Sequence, residues 1–596
     1  MKNTFKFIMA VAIASSSLFF SCETTELELV ESPNSLPEGT GDPSFLLNSI
    51  QLAYRNNAIT FNGNGESLTR ISTFGSRDYF NGLTGGSLDG AWTRTYAGIF
   101  ADVIAIEQLA EDPTQDLRFH LGTAKIMQAH SLLWLVDYIG DVPFTEALNP
   151  IEFPSPNVDA GASVYEGALG ILNEGKALLE SISASDALVP AVDMFYDEDP
   201  TKWVKAANSI AMKAAITTGD IATFNAIVAE GDFITDAEDD LQFQYGTNLL
   251  NPNTQHPDYF ANYTEQGVGP YRSNWLMGTM LENDDPRIRY YFYRQSGCTP
   301  GASCDPEGDG ETLSCSLETA PTHYNGFTFC FLEDGYWGRD HGDDRGAPPD
   351  EFVKTATGVY PSGGKLDANN FDNLVVVEQE DGSFALELDE DDDLVGLGEG
   401  GVGAGIEPII LSSYVDFWRA EAAMVSGDPG AAAGFIQSGL EKSIAKVQGF
   451  GDLDQSAVNG ILSADIDSNT GELSNVVLAN TLLPTSADNQ AFIDDVVADF
   501  NNADTDGKWN ILAEQFWITM YGGGAEAYNF YRRQGYPTTL QPNLEADPGA
   551  FPRSFPYTTA EIVANPNISQ KPDQNVQVFW DTNPPSAVSG GFPAAN

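Results

Sequence analysis

Residues 121–148 read LGTAKIMQAHSLLWLVDYIGDVPFTEAL, and this stretch decides the fold class. Its apolar side chains recur at the three- and four-residue spacing that gives an α-helix one broad apolar face. The side chains in that face are Ala129, Leu132, Leu133, Val136 and Ile139. Gly140 can end the helix in a left-handed conformation, and Pro143 prevents it from continuing. The stretch therefore predicts a long core helix that ends at the sequence YIGDVP.

Other segments with helical periodicity lie on both sides of this stretch. They cover residues 45–54, 92–112, 164–181, 202–218, 408–426, 431–448, 488–500 and 509–521. Helices joined by short connections favour antiparallel pairs, and stacked pairs form an α-solenoid. No clean 34-residue repeat is visible, so periodicity alone supports a mostly α fold and not a specific repeat class.

The middle of the chain differs from the helical segments in its amino-acid composition. From about residue 233 to 405, Gly, Pro, Asp and aromatic residues dominate, with two short β-like runs at 373–377 and 384–388. A segment this long is unusual for a plain loop, so we interpret it as an inserted functional layer. We therefore predict a single domain from residue 44 to 596. Its helical scaffold covers about 44–232 and 406–534, its irregular insert about 233–405, and its irregular C-terminal tail 535–596.

The amino terminus predicts export. Residues 1–21 contain Lys2 and Lys6 and then an apolar run that is too short to span a bilayer, as in a signal peptide. Cys22 follows the run directly, which resembles a lipoprotein signal with Cys22 as the acylated residue. Residues 22–43 then form an acidic, proline-containing surface tether. The alternative is an ordinary cleaved secretory signal followed by a chance cysteine; we favour the lipid anchor.

Charge excludes whole classes of partner. Lys and Arg total 28 and Asp and Glu total 86, so the formal net charge is -58. Such a field repels nucleic acid and anionic lipid headgroups, so neither is expected as a general partner. A composition of this kind suits salty surroundings, where screening shortens the range of self-repulsion.

Four cysteines remain besides Cys22, and all of them lie in one Gly- and Asp-rich segment: Cys298, Cys304, Cys315 and Cys330. In an exported chain we interpret them as two disulfides, for which the sequence allows three connectivities. The alternative is a zinc site that includes the nearby His323. The sequence has no C-x-x-C pair and an oxidising compartment is expected, so disulfides are favoured.

Five blocks of the sequence together resemble one known family. They are YIGDVPFTEA at 138–147, WVKAANSIAMKAA at 203–215, NDDPR at 283–287, YVDFWRAEAAM at 414–424 and ILAEQFWITMYGGGAEAYNFYRRQGYP at 511–537. Their content and order resemble the signatures of the SusD/RagB family, in its SusD-like branch. The chain departs from the pattern at Asp416, where Glu is common, at Tyr528, where Trp is usual, and at Gly522-Gly523, which lengthens a turn.

This resemblance implies both a fold and a role. The fold would be mostly α, with tetratricopeptide-like helix pairs and a large irregular ligand-binding insert. The role would be an outer-membrane lipoprotein, facing the cell exterior, that captures oligosaccharides or polysaccharides for a SusC-like TonB-dependent transporter. Neither catalysis nor a cofactor is implied. The signature residues Arg532, Arg533, Glu526 and Glu421 are better interpreted as buried ion pairs and carbonyl partners than as ligand contacts.

Sugar binding needs flat aromatic faces flanked by planar donors and acceptors. One loop offers Arg77, Asp78 and Tyr79, followed by Phe80 and Asn81. The insert offers further candidates: Arg272, Trp275, Tyr324, Trp337, Arg339, Asp340 and His341. The resemblance implies that ligand-binding aromatics lie in these two regions, although no motif fixes them residue by residue. The alternative for each aromatic residue is a place in the core of its loop.

Four arginines form a cationic cluster in this acidic chain: Arg272, Arg287, Arg289 and Arg294. They could receive uronate or sulfate groups on a charged glycan. Internal pairing with neighbours such as Asp284 and Asp285 is the favoured interpretation.

Two acidic segments, 305–310 and 502–507, imitate the start of an EF-hand loop. Neither has the glutamate required at loop position twelve, where Ser316 and Ala513 stand. We therefore predict no metal site, with an incidental calcium in the acidic insert as the alternative.

Two other functions stay open at the sequence level. A lipid-anchored glycoside hydrolase would need two carboxylates at a set separation, for example Asp340 with Asp343 or Asp344 beside Trp337. A peptide- or protein-binding lipoprotein is the third possibility, because helix-pair solenoids often present concave surfaces to peptides.

Overall fold

The computed structural model describes residues 41–149, 151–297, 314–330, 333, 335–345, 352–368, 374–388 and 400–584. The predicted signal, nearly all of the tether, Cys22, Cys298, Cys304 and the EF-hand-like segment 305–310 lie outside these ranges. Among the residues described, no helix is both long and apolar enough to cross a membrane.

The amino-terminal part is built of helices. Their bounds are α1 Pro43–Leu68, α2 Tyr79–Gly82, α3 Asp89–Thr93, α4 Ala101–Leu109, α5 Arg118–Ile139, α6 Gly161–Glu180, α7 Pro200–Thr218 and α8 Ile221–Glu230, with a π-helical stretch Arg94–Phe100 between α3 and α4. Local sequence explains where they start and stop. The side chains of Asp42, Asp199 and Asp220 cap the starts of α1, α7 and α8, and left-handed glycines, Gly219 and Gly231, end α7 and α8.

The insert contains short elements separated by irregular chain. They are β1 Leu241–Gln244, α9 Pro257–Asn262, β2 Arg272–Ser273, α10 Asn274–Glu282, α11 Ile288–Tyr291, β3 Phe292–Tyr293, β4 Gly338–Arg339, β5 Ala356–Thr357, β6 Leu374–Glu378 and β7 Phe384–Leu388. Strands β3 and β5 pair antiparallel, and β2 and β4 pair in parallel.

The carboxy-terminal part returns to helices, with one more hairpin. Its elements are β8 Ile406–Ile410, α12 Ser412–Val425, α13 Pro429–Gly449, β9 Ile461–Ile466, β10 Leu473–Leu478, α14 Ser486–Asn502, α15 Thr505–Thr519, α16 Ala525–Gln534 and α17 Thr559–Ala564. Strand β8 pairs antiparallel with β1, and a four-stranded sheet has the order β10-β9-β6-β7. Short 3-10 segments include Gly85–Leu88, Ala237–Asp239, Ser314–Leu317, Thr322–Tyr324, Phe450–Asn459 and Ala479–Leu482.

The mostly α fold with an irregular insert is confirmed, and two local predictions differ from the structure. The helix predicted over 408–426 begins only at Ser412, because residues 406–410 form the buried strand β8 instead. The hairpin of β9 and β10 was not predicted. Its residues are half-buried or exposed, so they lack the strict alternation that marks a strand packed on a core.

The helix pairs pack closely and antiparallel. Near the start of α5, Gly122 lies against Gly175 near the end of α6, and a Cβ at Gly175 would stand only 2.7 Å from the Gly122 carbonyl oxygen. Asp416 of α12 likewise faces the α13 residues Ser438 and Lys442. Small residues at such crossings let the two backbones approach.

Helix α5 is the centre of the molecule. Every residue from Ile126 to Ile139 is buried, so the helix is enclosed on all sides and not only on the predicted face. One polar group in this interior, the Asp137 carboxylate, accepts four hydrogen bonds. The donors are Tyr165 Oη, Lys213 Nζ, Asn529 Nδ2 at 2.7 Å and Trp580 Nε1 at 3.0 Å. Because these donors come from α6, α7, α16 and the C-terminal tail, Asp137 ties four separate parts of the chain to α5.

The signature residues of α16 are scaffold, as predicted. The Arg533 guanidinium donates to both oxygens of Glu421 at 2.7 Å and to Glu526 at 2.6 Å. Arg532 donates to the backbone carbonyls of Asp137 and Arg553. These buried contacts hold α16 against α5, α12 and the tail.

The tail beyond α16 is irregular but enters the interior. Phe551, Phe555 and Trp580 are buried in the main hydrophobic core. Lys571 donates to the carbonyl oxygen of Ile139, at the C-terminal end of α5, and to that of Phe555 at 2.6 Å. The core therefore draws on residues from both ends of the described chain.

Candidate functional site

The two loop regions predicted to carry the ligand site meet in space. The rings of Phe74 and His341 stack with centroids 5.1 Å apart, and the hydroxyl of Tyr79 lies 3.2 Å from His341 Nε2. At the surface, Arg77 Nε donates to Asp344 Oδ1 at 2.5 Å. The loop before α3 and the insert loop after β4 thus form one continuous layer.

Half of the ten predicted ligand-binding residues form the interior of this layer. Trp337, Tyr79, Tyr324, Asp340 and His341 are each at most 2% exposed. Their burial is possible because several of their polar groups have partners inside the protein. For example, Asp340 accepts from Asn274 Nδ2 at 3.0 Å, from Gln541 Nε2 at 2.7 Å and from the Cys330 amide at 3.0 Å. Burial also raises the pKa of Asp340. These five residues shape the layer and present no face to a ligand.

Trp275, Tyr324 and Arg272 are also used internally. Trp275 Nε1 donates to the Thr539 carbonyl at 3.1 Å, and the Tyr324 hydroxyl donates to the Pro542 carbonyl at 3.1 Å. Arg272 forms an ion pair with Asp258 at 3.0 Å. The tail segment 539–543 supplies the partners of Trp275 and Tyr324, and nothing in the local sequence of the insert signals its approach.

Arg339 is half-buried. Its guanidinium lies 4.1 Å from the centroid of the Tyr271 ring and donates to the Arg345 carbonyl oxygen. Arg339 therefore lies at the edge of the layer, between its interior and its surface.

Helix α2 turns one aromatic ring inward and the next outward. Asp78 caps this single turn by accepting from the Asn81 amide at 2.7 Å and from Asn81 Nδ2 at 2.8 Å. The hydrogen bond from the Asn81 amide lowers the pKa of Asp78. Tyr79 is consequently 1% exposed, whereas the ring of Phe80 is 72% exposed. The exposed aromatic face of the loop is Phe80 and not the predicted Tyr79.

Planar polar residues flank Phe80 in sequence, and Arg77 joins them to two carboxylates from other parts of the chain. Arg77 stands between Asp344, at 2.5 Å, and Glu545, at 3.7 Å, and all three side chains are at least 37% exposed. We call this surface the Phe80 rim and define it by Arg77, Asp78, Phe80, Asn81, Asp344 and Glu545. Glu545 is a member that sequence reasoning missed, because it comes from the tail. A flat apolar ring flanked by guanidinium, amide and carboxylate groups has the chemistry that pyranose rings require.

The four clustered arginines are paired internally, as favoured. Arg287 pairs with Asp285 at 2.6 Å with both side chains fully buried, and Arg294 pairs with Asp367 at 2.6 Å. Arg289 lies 3.6 Å from Asp367. With Arg272 held by Asp258, the cluster serves the scaffold of the insert.

The carboxylates considered for catalysis are also engaged. Asp340 is buried, and Asp344 pairs with Arg77. Asp343 receives two hydrogen bonds from the Arg345 side chain at 2.9 Å. Burial acts to raise the pKa of Asp343, but the bonds from Arg345 outweigh it and hold this pKa below its ordinary value. No pair of these carboxylates is open to a glycosidic bond.

The described residues include two of the four cysteines of the insert and one of the two EF-hand-like segments. Cys315 and Cys330 form a disulfide, which closes part of the insert. Within the described residues, no group of three or more His, Cys, Asp or Glu side chains is arranged to hold a metal ion. In the second EF-hand-like segment, 502–507, the carboxylates have other partners. Asp504 caps α15, and Asp506 accepts a hydrogen bond from the Tyr536 hydroxyl at 2.8 Å.

Comparison with known proteins supports one family. Residues 40–314 match the SusD-like family described as "Starch-binding associating with outer membrane". No curated protein matches the chain. A solved structure described as a chitin-binding protein is 19% identical, with a TM-score of 0.57, and the match covers 91% of this chain and 100% of that one.

Two further solved structures show the same fold. A SusD homolog from Bacteroides fragilis is 17% identical with a TM-score of 0.58, and a chitin-binding SusD homolog from Flavobacterium johnsoniae is 15% identical with a TM-score of 0.56. Each match covers 91% of this chain and 99% of the other. Residues 40–314 thus match the SusD-like family model, and the chain has the fold of solved SusD homologs.

Proposed function

We propose that the protein captures oligosaccharides at the cell exterior and delivers them to a SusC-like TonB-dependent transporter, without catalysis. The observation that carries this proposal is the Phe80 rim, where an exposed aromatic ring is flanked in sequence by planar polar residues that include the exposed Arg77–Asp344 pair. Two structural relatives described as chitin-binding support a glycan as the ligand. The family description, which names starch binding and the outer membrane, agrees with it.

The membrane attachment and the transporter are parts of the same proposal. A lipid on Cys22 would anchor the chain, and the acidic segment 22–43 would act as its tether. Labelling with an alkyne-bearing fatty acid tests the anchor, and Cys22→Ala should abolish the label. Co-purification of the chain with a TonB-dependent transporter from cell envelopes tests the partner.

A glycan panel scored for both affinity and product release tests the function. Binding of an oligosaccharide without cleavage is the expected result. Cleavage would instead support the hydrolase, and binding of peptides but of no glycan would support the peptide-binding alternative. Chitin and starch oligosaccharides come first in the panel, because the relatives and the family description name these polymers.

Substitution of Phe80 tests the site. Phe80→Ala should weaken binding of the best glycan by roughly 5–30-fold, because an aromatic platform of this kind contributes about 1–2 kcal/mol. Phe45→Ala is the matched control, since Phe45 is 74% exposed but lies at the start of α1. If the Phe80 variant and the control bind the glycan with equal affinity, the glycan site does not include Phe80.

A further inference from the structure

A second concave surface lies away from the Phe80 rim. It is a groove of about 710 Å³ between the segment 280–289, the outer side of α14 and one side of α15. We call it the acidic groove. It lies at the C-terminal end of α10, whereas Asn274 at the other end of α10 contacts the layer under the rim. A nine-residue helix places these two ends about 12 Å apart.

Carboxylate side chains line the groove around an apolar floor that is mainly aliphatic. Along α14 the groove-lining residues alternate as Asp488, Phe492, Asp495, Val496 and Asp499, which is the spacing of one helix face. The opposite walls contribute Asp284, Ile511 and Glu514. The ring of Phe492 is only 8% exposed and contributes little to the surface of the floor. The exposed part of the floor is therefore mainly aliphatic.

The charge in the groove is not compensated from within. In the parts of the chain that the structure describes, no lysine or arginine pairs with Asp284, Asp495, Asp499 or Glu514. The one cationic side chain among the lining residues is Arg289, and it is directed to Asp367, with its guanidinium 3.2 Å from that residue's carbonyl oxygen. Burial raises the pKa of Glu514 to about 7, so near neutral pH the attraction for a cation comes mainly from the aspartates. A cation entering the groove would therefore be attracted by several carboxylates at once.

These observations favour a peptide over a sugar. A pyranose needs an open aromatic face, which this floor lacks. An amphipathic segment needs an apolar strip for its own apolar side chains and opposite charges at the rim, and the groove has both.

We propose that the acidic groove binds a cationic amphipathic segment of a partner protein, with its apolar side chains on the floor and its lysines or arginines facing Asp284, Asp495 and Asp499. This inference goes beyond glycan capture and uses a different surface.

A designed peptide serves as the probe. It has 18 residues, leucines at helical spacing and lysines elsewhere, and it carries a fluorescent label so that binding to the full chain is followed by anisotropy. The lysine peptide should bind, and a version with glutamate in place of every lysine should not. A version with serine in place of every leucine should bind at least tenfold more weakly, because the floor then has no partner.

Matched variants separate the groove from the general acidity of the chain. The double variant Asp495→Asn with Asp499→Asn should weaken peptide binding roughly tenfold. The control Asp494→Asn with Glu230→Gln changes the net charge by the same amount at exposed positions outside the groove, and it should leave the affinity unchanged. Equal weakening by both double variants would overturn the proposal, since net charge alone would then explain binding.

Two further outcomes would also overturn it. One is displacement of the peptide by a glucosamine hexasaccharide at the same or lower concentration, which would make the groove an amino-sugar site. The other is the same affinity for the leucine and serine peptides. Glycan binding measured on the same variants should be unaffected, so failure here is distinguishable from failure of glycan capture.

Discussion

Asp137 shows how much one residue contributes to this fold. Replacing it with Asn keeps the shape but removes the charge that faces Lys213, which is only 4% exposed. An unpaired buried charge typically costs about 3–5 kcal/mol, so Asp137→Asn should lower the free energy of unfolding by that amount. Chemical denaturation measures it. Asp494→Asn, at an exposed position of α14, should change stability by less than about 0.5 kcal/mol. Similar losses for both variants would show that the Asp137 network contributes little.

Glu407 makes a pH-dependent contribution. It is 5% exposed, accepts a hydrogen bond from Asn62 at 2.7 Å, and burial raises its pKa to about 8. The folded state therefore binds more protons than the unfolded state between about pH 4.5 and 8. This contribution to stability is complete below pH 4.5 and is lost as the pH rises through 8.

Replacing Glu407 with a neutral isostere tests the predicted direction in which stability changes with pH. Between pH 5.5 and 7.5, Glu407→Gln should reduce the downward slope of unfolding free energy against pH by up to about 1.4 kcal/mol per pH unit. Urea unfolding at four pH values measures the slope, with the exposed Glu230→Gln as the control. A slope equal to that of the native chain would contradict the assigned pKa.

The site residues illustrate the limit of sequence reasoning at this scale. The loop around Arg77 and Asp78 and the insert residues 339–344 were predicted as two separate candidate regions, and the structure shows that they are in contact. Tyr79 was expected to face a ligand but is buried, because the turn capped by Asp78 directs its ring towards His341 of the insert and leaves Phe80 exposed. Asp340 and His341 were likewise assigned to the surface. One partner that they share, Gln541, lies about 200 positions later in the chain.

At the scale of elements, the crossing of α5 and α6 gives a sharp test. In Gly175→Ala the new Cβ would lie 2.7 Å from the Gly122 carbonyl oxygen, so the helices must separate. We expect a loss of about 1–3 kcal/mol in unfolding free energy. Gly170→Ala on the same helix meets nothing within 4 Å and should stabilise by up to about 1 kcal/mol. Thermal unfolding of the two variants checks this prediction, and shifts of the same sign would contradict it.

Long helices were predictable, and so were the β-like runs that form β6 and β7, whereas β8 and the hairpin of β9 and β10 were not. The periodicity of 121–139 identified α5 to within three residues because tertiary packing and helical spacing agree there. Strand β8 was taken for the start of a helix because a short apolar run fits either structure until its partner, β1, is known. The boundaries predicted for the insert and the tail stay predictions about domain organisation.

For the whole molecule, the net charge of -58 predicts a dependence on salt. The Debye length is about 30 Å at 0.01 M salt and about 3 Å at 1 M, so repulsion across the surface is strong only at low salt. The Tm should rise as NaCl increases from 0.01 to 1 M. Sucrose at matched osmolality serves as the control, and a Tm indifferent to NaCl would contradict the prediction.

The four hydrogen bonds to Asp137 also constrain the order of events during synthesis. Lys213 can reach Asp137 once the first third of the chain is available, but Asn529 and Trp580 lie 392 and 443 residues downstream. While only the amino-terminal helices are available to fold, this carboxylate is short of two donors and one side of α5 is uncovered. The nascent chain therefore reaches its final stability only when its last segments emerge. A chain that terminates before residue 580 should be a ready substrate for proteases, even though all the long helices are present in it.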